Sequence, residues 1–473
     1  MFSNFEKKLK QYLESIYFLP VLALLTLISW AITNFSNLSF SFSIPSLFLL
    51  VIVFIMCLVK AKPVHLMGLF MLFYGGSNIL NSTFKTPDLI LIISMGIPTA
   101  IFVIYRLFET KFYRHIKVLF SDKLIFFFLI MVVMMFISII YSPDKFATFG
   151  GASSMALCLA LYIIGNYVID KNEQNRRTVL YSLITFSIII GIEYFIKVFV
   201  VLATSENFDI FWELFQTKKI NVGWDHAVHT CVIVNLAIAF SAYLLFTSNN
   251  VKEKVFILVS MLFGLLTEIF SFSRAAYLSL ALIVAAICVI GAIYLKKTKV
   301  IIWFLIILFV SLIVLCIVLY RLNILVPFIM HFIDKGLSLS GREGLWGMSI
   351  ELFKDNWLLG TGWASSKYYI NTILDRPEAT YHNYILQAST IGIFGIILAL
   401  VVIFFIIKRV CKKNLYDLCA ISCVIMYVLN GLIDTLFFSA ILMSVLCMLI
   451  AMSDIGKQKN KEDVLSETAF KNI

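Results

Sequence analysis

Apolar runs long enough to cross a bilayer recur from Ile16 to Met452. A helix needs roughly 17–25 such residues for a hydrocarbon core of about 30 Å. No other feature constrains the fold as tightly. Backbone N–H and C=O groups in hydrocarbon must be satisfied within the protein, and an uninterrupted helix does this alone. The expected fold class is all-α: a polytopic integral membrane protein with about fourteen transmembrane helices. The expected spans are 16–32, 44–59, 64–80, 88–107, 123–141, 147–169, 179–203, 227–247, 254–270, 275–295, 300–320, 383–407, 414–430 and 433–452. They form one membrane domain over 1–456, followed by a polar cytoplasmic tail at 457–473. The first span follows Lys7, Lys8 and Lys10 without a small-residue cleavage site, so it reads as an uncleaved anchor.

The formal net charge is +11. In a soluble chain that would suggest nucleic acid. Here 61% of residues are hydrophobic, only 14% are charged and the mean hydropathy is +0.97, so the basic residues are better read by the positive-inside rule. Most of them fall at the two termini and in alternate loops, among them Lys60, Lys171, Arg176, Arg177, Lys252, Lys296, Lys408 and Arg409. The expected localisation is therefore a plasma membrane, with both termini cytoplasmic and a long outward segment, 321–382. The nine cysteines lie in apolar segments or at the end of one, so no disulfide framework is implied, and Cys419 and Cys423 read as packing residues.

Long ordered loops tend to carry function. In the outward segment, Ser340, Gly341, Arg342 and Glu343 have capping-box spacing, and Leu345, Trp346, Ser349, Ile350, Leu352 and Phe353 suggest a short amphipathic helix lying on the membrane. This sets Arg342 in a helix's first turn. A guanidinium there, beside free N–H groups, suits a phosphate or diphosphate, although a surface arginine next to a cap is an equally simple reading. Arg274 begins the return into the membrane and reads as a second anion ligand or as an interfacial residue that snorkels. His382 opens the next span. An imidazole can take a proton near neutral pH, or merely hydrogen bond at the interface. Together, two arginines and a histidine at outward helix starts suit a lipid-linked anion. Further candidates are Glu343, Asn383 and Glu268, the last able to orient Arg274. Asp225, His226 and His229 resemble a metal cluster, but one loop supplies all three, and no metal or other cofactor is expected. Glu193 and Lys197, one turn apart within a span, are expected to pair.

The chain has no D-x-D, no P-loop Gly-Lys-Ser/Thr and no G-x-S-x-G, which argues against nucleotide-driven chemistry. Gly360-Thr361-Gly362 reads as a tight turn. An ordered set of segments stands out: Ser271-Phe272-Ser273-Arg274, Gly341-Arg342-Glu343-Gly344-Leu345-Trp346, Leu359-Gly360-Thr361-Gly362-Trp363, and His382-Asn383-Tyr384 with Gly392 and Gly395. In order and spacing it resembles the O-antigen ligase and Wzy polymerase superfamily. The resemblance covers roughly 221–400 and departs from the usual pattern at Trp357-Leu358, where a proline often precedes the Gly-x-Gly turn.

The resemblance implies a metal-independent, inverting glycosyltransferase of the GT-C-like membrane class. Its donor would be an undecaprenyl-diphosphate-linked glycan and its acceptor another glycan. By matching position, Arg274 and Arg342 would bind the diphosphate and His382 would help deprotonate the acceptor hydroxyl. A polymerase of repeat units is the expected activity. A ligase moving a finished glycan is the alternative, and a lipid-linked oligosaccharide flippase a more remote one. Expected partners are the bilayer, these glycans, and chain-length regulator and flippase proteins, with no nucleic acid.

Overall fold

The computed structural model describes residues 2–15, 17–35, 43–69, 121–216, 227–271, 273–294, 342–375, 380–412, 414–433 and 439–453, with scattered positions elsewhere. Among these residues the chain is helical, with no strand. The helices before the centre of the chain are α1 (Phe2–Leu13), α2 (Phe18–Phe35), α3 (Ser43–Leu58), α4 (Pro63–Leu69), α5 (Lys123–Ile137), α6 (Lys145–Ile163), α7 (Glu173–Thr204) and α8 (Phe208–Gln216). They are followed by α9 (Ala227–Thr247), α10 (Val251–Phe270), α11 (Arg274–Val289), α12 (Arg342–Asp355), α13 (Ser366–Leu374), α14 (Tyr384–Ala388), α15 (Gly392–Val410), α16 (Leu415–Gly431) and α17 (Ala440–Ala451). Side chains start these helices where the sequence supplies a short polar residue. Asp122, Asp144, Asn172, Asn250, Ser273 and Asn414 each accept a backbone N–H of the following turn.

Six of the described helical stretches are long and apolar enough to cross a membrane, or seven if the bent pair Asn4–Leu13 and Phe18–Ile28 forms one span. The expected spans 88–107 and 300–320, and 64–80 beyond Leu69, lie outside the described residues or are described only at scattered positions, as does the tail 457–473. The expected span 227–247 is α9, the centre of the bundle. Residues 230–244 are all buried, and α9 packs against α7, α10, α11 and α16.

The two ends of the bundle differ in chemistry. At one end, Arg176 lies over the Tyr416 ring at 4.1 Å and donates to the Met452 carbonyl at 3.1 Å. Arg177 pairs with Glu253 at 3.0 Å, and Arg409 donates to Asn166 at 2.6 Å. These are residues that the charge pattern assigned to one side of the membrane. Most of their charge is matched by carboxylates, carbonyls and rings, which keeps the cost of burying it low.

Two local expectations need correction. The final span begins at Ala440 rather than 433, because the chain leaves α16 in a turn at Leu432 and Ile433. The span 383–407 is present as Tyr384–Val410, with its helix interrupted by a 3-10 turn at Ser389–Ile391 and Gly392 at φ +75° before α15. Glu193 and Lys197 attract each other electrostatically but make no hydrogen bond. Glu193 is fully buried and neither carboxylate oxygen has a hydrogen-bond partner among the described residues. Pairing at this spacing would bury both charges, and a lysine stem can instead reach toward the helix end.

Candidate functional site

Arg342 is the first residue of α12. The preceding Ser340 and Gly341 lie outside the described residues, so the capping box does too. Leu345 and Met348 of α12 pack with Ile370 of α13 and Tyr381, forming a small satellite core. The apolar face of α12 therefore meets protein as well as the membrane surface. Trp346, one turn after Arg342, donates its indole N–H to the Tyr381 carbonyl at 2.9 Å. That bond ties α12 to the segment carrying His382.

His382 has φ +51°, in the left-handed region that a residue with a Cβ seldom occupies. Asn383 holds the next step of the chain. Its side-chain oxygen accepts from the N–H groups of Ile385 at 2.9 Å and Leu386 at 3.2 Å, capping α14. Its amide nitrogen donates to the Leu432 carbonyl at 2.9 Å. The neighbouring Ile433 carbonyl accepts from the Arg342 guanidinium. Both bonds fall at the carbonyl-rich C-terminal end of α16, where the helix dipole favours cations.

The same end of α16 reaches the Arg274 element. Asn430 donates to the Ser279 hydroxyl of α11, and Ser279 lies about 7 Å along the helix axis from Arg274. Arg274 opens α11 behind Ser273, whose hydroxyl accepts from Ala276 N–H at 3.4 Å. Thus residues 430–433 contact α11 at Ser279, the start of α12 and the residue that caps α14. Sequence pattern alone does not single out Asn430, Leu432 and Ile433. A signal was present in Asn430-Gly431, a polar residue and a glycine closing an apolar span.

The other candidates are placed less centrally. Glu268 is buried in α10 and accepts from Asn235 of α9 at 2.8 Å, with its second oxygen unpartnered among the described residues. Its hydrogen bonding, from Asn235 and Cys231 of α9, thus runs into the bundle. Glu343 is exposed in the first turn of α12. His226 and Asp225 lie outside the described residues, and His229 sits in the first turn of α9. Burial pushes the Tyr381 hydroxyl well above the usual phenol range, with Tyr369 adding to the shift, so it stays neutral at physiological pH.

The glycine motif is a docking element. Thr361 and Gly362 both donate their N–H groups to the Thr390 carbonyl, at 2.9 and 2.8 Å. A Cβ on Gly360 would stand 2.3 Å from that oxygen, and one on Gly392 would stand 2.1 Å from the Leu358 oxygen. The backbones therefore touch. Trp363 extends the contact to α5, its N–H donating to the Ser138 hydroxyl at 2.9 Å, while Tyr141 donates to the Leu359 carbonyl at 2.7 Å. The site elements are clamped onto the same end of the bundle as the C-terminal end of α5.

These features define a class: an all-helical integral membrane protein with its arginine- and histidine-bearing elements collected at one end of the bundle. Residues 256–400 match the family model described as O-antigen ligase. That match supports the O-antigen ligase and polymerase superfamily for this segment, and with it glycosyl transfer in general. The matched segment runs from α10 into α15 and includes Glu268, Arg274, Arg342, His382 and Asn383. No curated protein matches the chain.

Proposed function

We propose that this protein is a polysaccharide polymerase that joins undecaprenyl-diphosphate-linked repeat units on the outer face of the plasma membrane, with both termini in the cytoplasm. The observation that carries this reading is the convergence of the Arg274, Arg342 and His382 elements on the end of α16. In the proposed reaction, an acceptor hydroxyl attacks the anomeric carbon of the donor sugar as its proton passes to the His382 imidazole. The bond from that carbon to the diphosphate oxygen breaks, and the lipid diphosphate leaves with the electron pair. Arg274 and Arg342 bind the developing charge through charge-assisted hydrogen bonds, so the step needs no metal. A single displacement inverts the anomeric carbon.

A polymerase is favoured because the terminal hydroxyl of one lipid-linked repeat unit can serve as acceptor for the next. Flippase and chain-length regulator proteins would supply and limit its substrate. The alternative is a ligase, in which a finished glycan moves to a different acceptor; the family description supports glycosyl transfer over transport. The test is to replace Arg274 and Arg342 singly by Lys, which keeps charge but loses the planar fork. Transfer should fall by about 10²–10³ in each variant, the usual effect of losing one such stabilising donor. Wild-type turnover in both, at normal expression, would reduce these residues to membrane anchors.

A further inference from the structure

Trp357, Leu358 and Leu359 are 56%, 45% and 53% exposed, three large apolar residues in a row between the charged end of α12 and the turn at Gly360. A run of this kind facing water is out of place on a folded surface unless something covers it. Its exposure is not slack in the chain. The Trp357 carbonyl accepts the Ile393 N–H at 2.8 Å, and the Leu359 carbonyl accepts the Tyr141 hydroxyl at 2.7 Å. The Leu358 backbone lies against Gly392, where an added Cβ would stand 2.1 Å from its oxygen. The backbone is held at all three residues while the side chains are left outside the bundle.

The partners of this run fix its height. At the basic end of the bundle, Arg409 of α15 lies 3.7 Å from Asp122, the residue that caps α5. Phe127 of α5 stacks on Phe405 of α15 with ring centroids 5.5 Å apart, so the two helices run antiparallel from a common level. From that level Lys123–Ile140 rises 18 residues, about 27 Å, to reach Tyr141. Gly392–Val410 covers 19 residues, about 28 Å, with Ile393 in the turn farthest from Arg409. Each length is close to the hydrocarbon thickness of about 30 Å. Residues 357–359 are therefore bonded to two spans at the level where the hydrocarbon ends. Ile140 and Phe394, next in sequence to the two bonding residues, are also exposed and apolar, which continues the lipid-facing surface of both spans up to the run. Lys354 and Asp355, exposed and charged, precede it.

We infer that residues 357–359 form a membrane-dipping tip, seated in phospholipid at the boundary between acyl chains and head groups. Trp357 stands at the level where tryptophan concentrates in membrane proteins. The tip holds the end of α12 at the head-group layer. This contact does not rest on the proposed transfer chemistry.

The test uses the unaltered full-length protein in phosphatidylcholine nanodiscs. These carry a phospholipid with a photoactivated carbene source near the glycerol end of one acyl chain, and labelled residues are read by mass spectrometry. Label should fall on residues 357–359 in yield comparable to that on Phe394 and Ile397, exposed residues of α15. A water-soluble carbene source should label Lys367, exposed on α13, and spare residues 357–359. Leu358→Asp changes an exposed side chain and leaves the backbone bonds in place. It should cut the lipid-borne label on residues 357–359 severalfold without changing that on Ile397. Adding a polyprenyl phosphate should not displace the label. Lipid-borne label on Phe394 and Ile397 with none on residues 357–359, strong labelling of 357–359 from water, or a yield undiminished in Leu358→Asp would overturn the tip. Displacement by the polyprenyl phosphate would overturn it too, by assigning the surface to a polyprenyl chain.

Discussion

Arg342 and Asn383 donate to adjacent backbone carbonyls, those of Ile433 and Leu432, at the end of α16. An arginine on one helix and the residue after a left-handed histidine on another are thereby held to one turn. Asn383 acts as a positioning residue, since its oxygen caps α14 while its nitrogen reaches Leu432. The two functions can be separated. Asn383→Asp keeps the capping oxygens and loses the donor, whereas Asn383→Ala loses both. Asn383→Ala should destabilise the protein by about 0.5–2 kcal/mol, the usual effect of losing a cap. Asn383→Asp should unfold near the wild-type temperature yet transfer more slowly, chiefly in kcat. Wild-type turnover in Asn383→Asp would show that the Leu432 bond does not position His382.

The glycine contacts predict opposite responses to the same substitution. Gly360→Ala and Gly392→Ala would each drive a Cβ into backbone, at 2.3 and 2.1 Å, from positions with positive φ. Both should undock residues 357–363 from the turn at Thr390 and expose that segment to limited proteolysis. Gly344 and Gly347 in α12 have nothing within 4 Å of an added Cβ. Gly347→Ala in the helix interior should stabilise by about 0.5–1 kcal/mol. Protease resistance of the first pair equal to wild type would contradict the docking.

Arg176 anchors the other end. It is 6% exposed and donates to the Met452 carbonyl while lying on Tyr416. Arg176→Met removes the donor from a buried carbonyl, and leaving such a group unsatisfied costs about 1–3 kcal/mol. The variant should unfold at lower temperature while each folded molecule keeps its transfer rate. An unchanged unfolding temperature would mean that the Met452 bond contributes nothing to holding the end of α17, leaving the Tyr416 bond to Leu449 and apolar packing.

Topology has its own test. Lys367 is exposed on α13, and the charge pattern puts its segment outside. In a chain lacking the native cysteines, Lys367→Cys should react with a membrane-impermeant maleimide in intact cells. Reaction only after lysis would invert the topology and move the proposed chemistry to the cytoplasm.

Much of the helical framework is legible in the sequence, because a bilayer leaves few alternatives to a long apolar helix. Ala227–Thr247 matches the expected span, and Lys123–Ile140 and Arg274–Ala292 agree within a few residues. What could not be read is tertiary. The break at Gly392 follows Gln387, Ser389 and Thr390, whose polarity is outweighed by the apolar residues that follow, so the stretch still has the mean hydropathy of one span. Helix α13 is short and mixed in polarity, and shows no bilayer-length pattern. The left-handed backbone of His382 has no sequence signature, unlike a glycine. Arg342 and His382 are legible as residue types at helix starts, but the meeting of Arg342 and Asn383 at Ile433 and Leu432 depends on hydrogen bonds between distant segments.

The most direct test of the central claim is the lipid-linked glycan left by His382→Ala. With Arg274 and Arg342 intact, this variant should still bind the donor, while the acceptor hydroxyl loses its base. Gel analysis of extracted lipid-linked glycans should then show single repeat units on undecaprenyl diphosphate and no long chains. Long chains still attached to the lipid would instead indicate a ligase. Normal chain length and normal surface glycan in a well-expressed His382→Ala strain would contradict the assignment of His382 to glycosyl transfer.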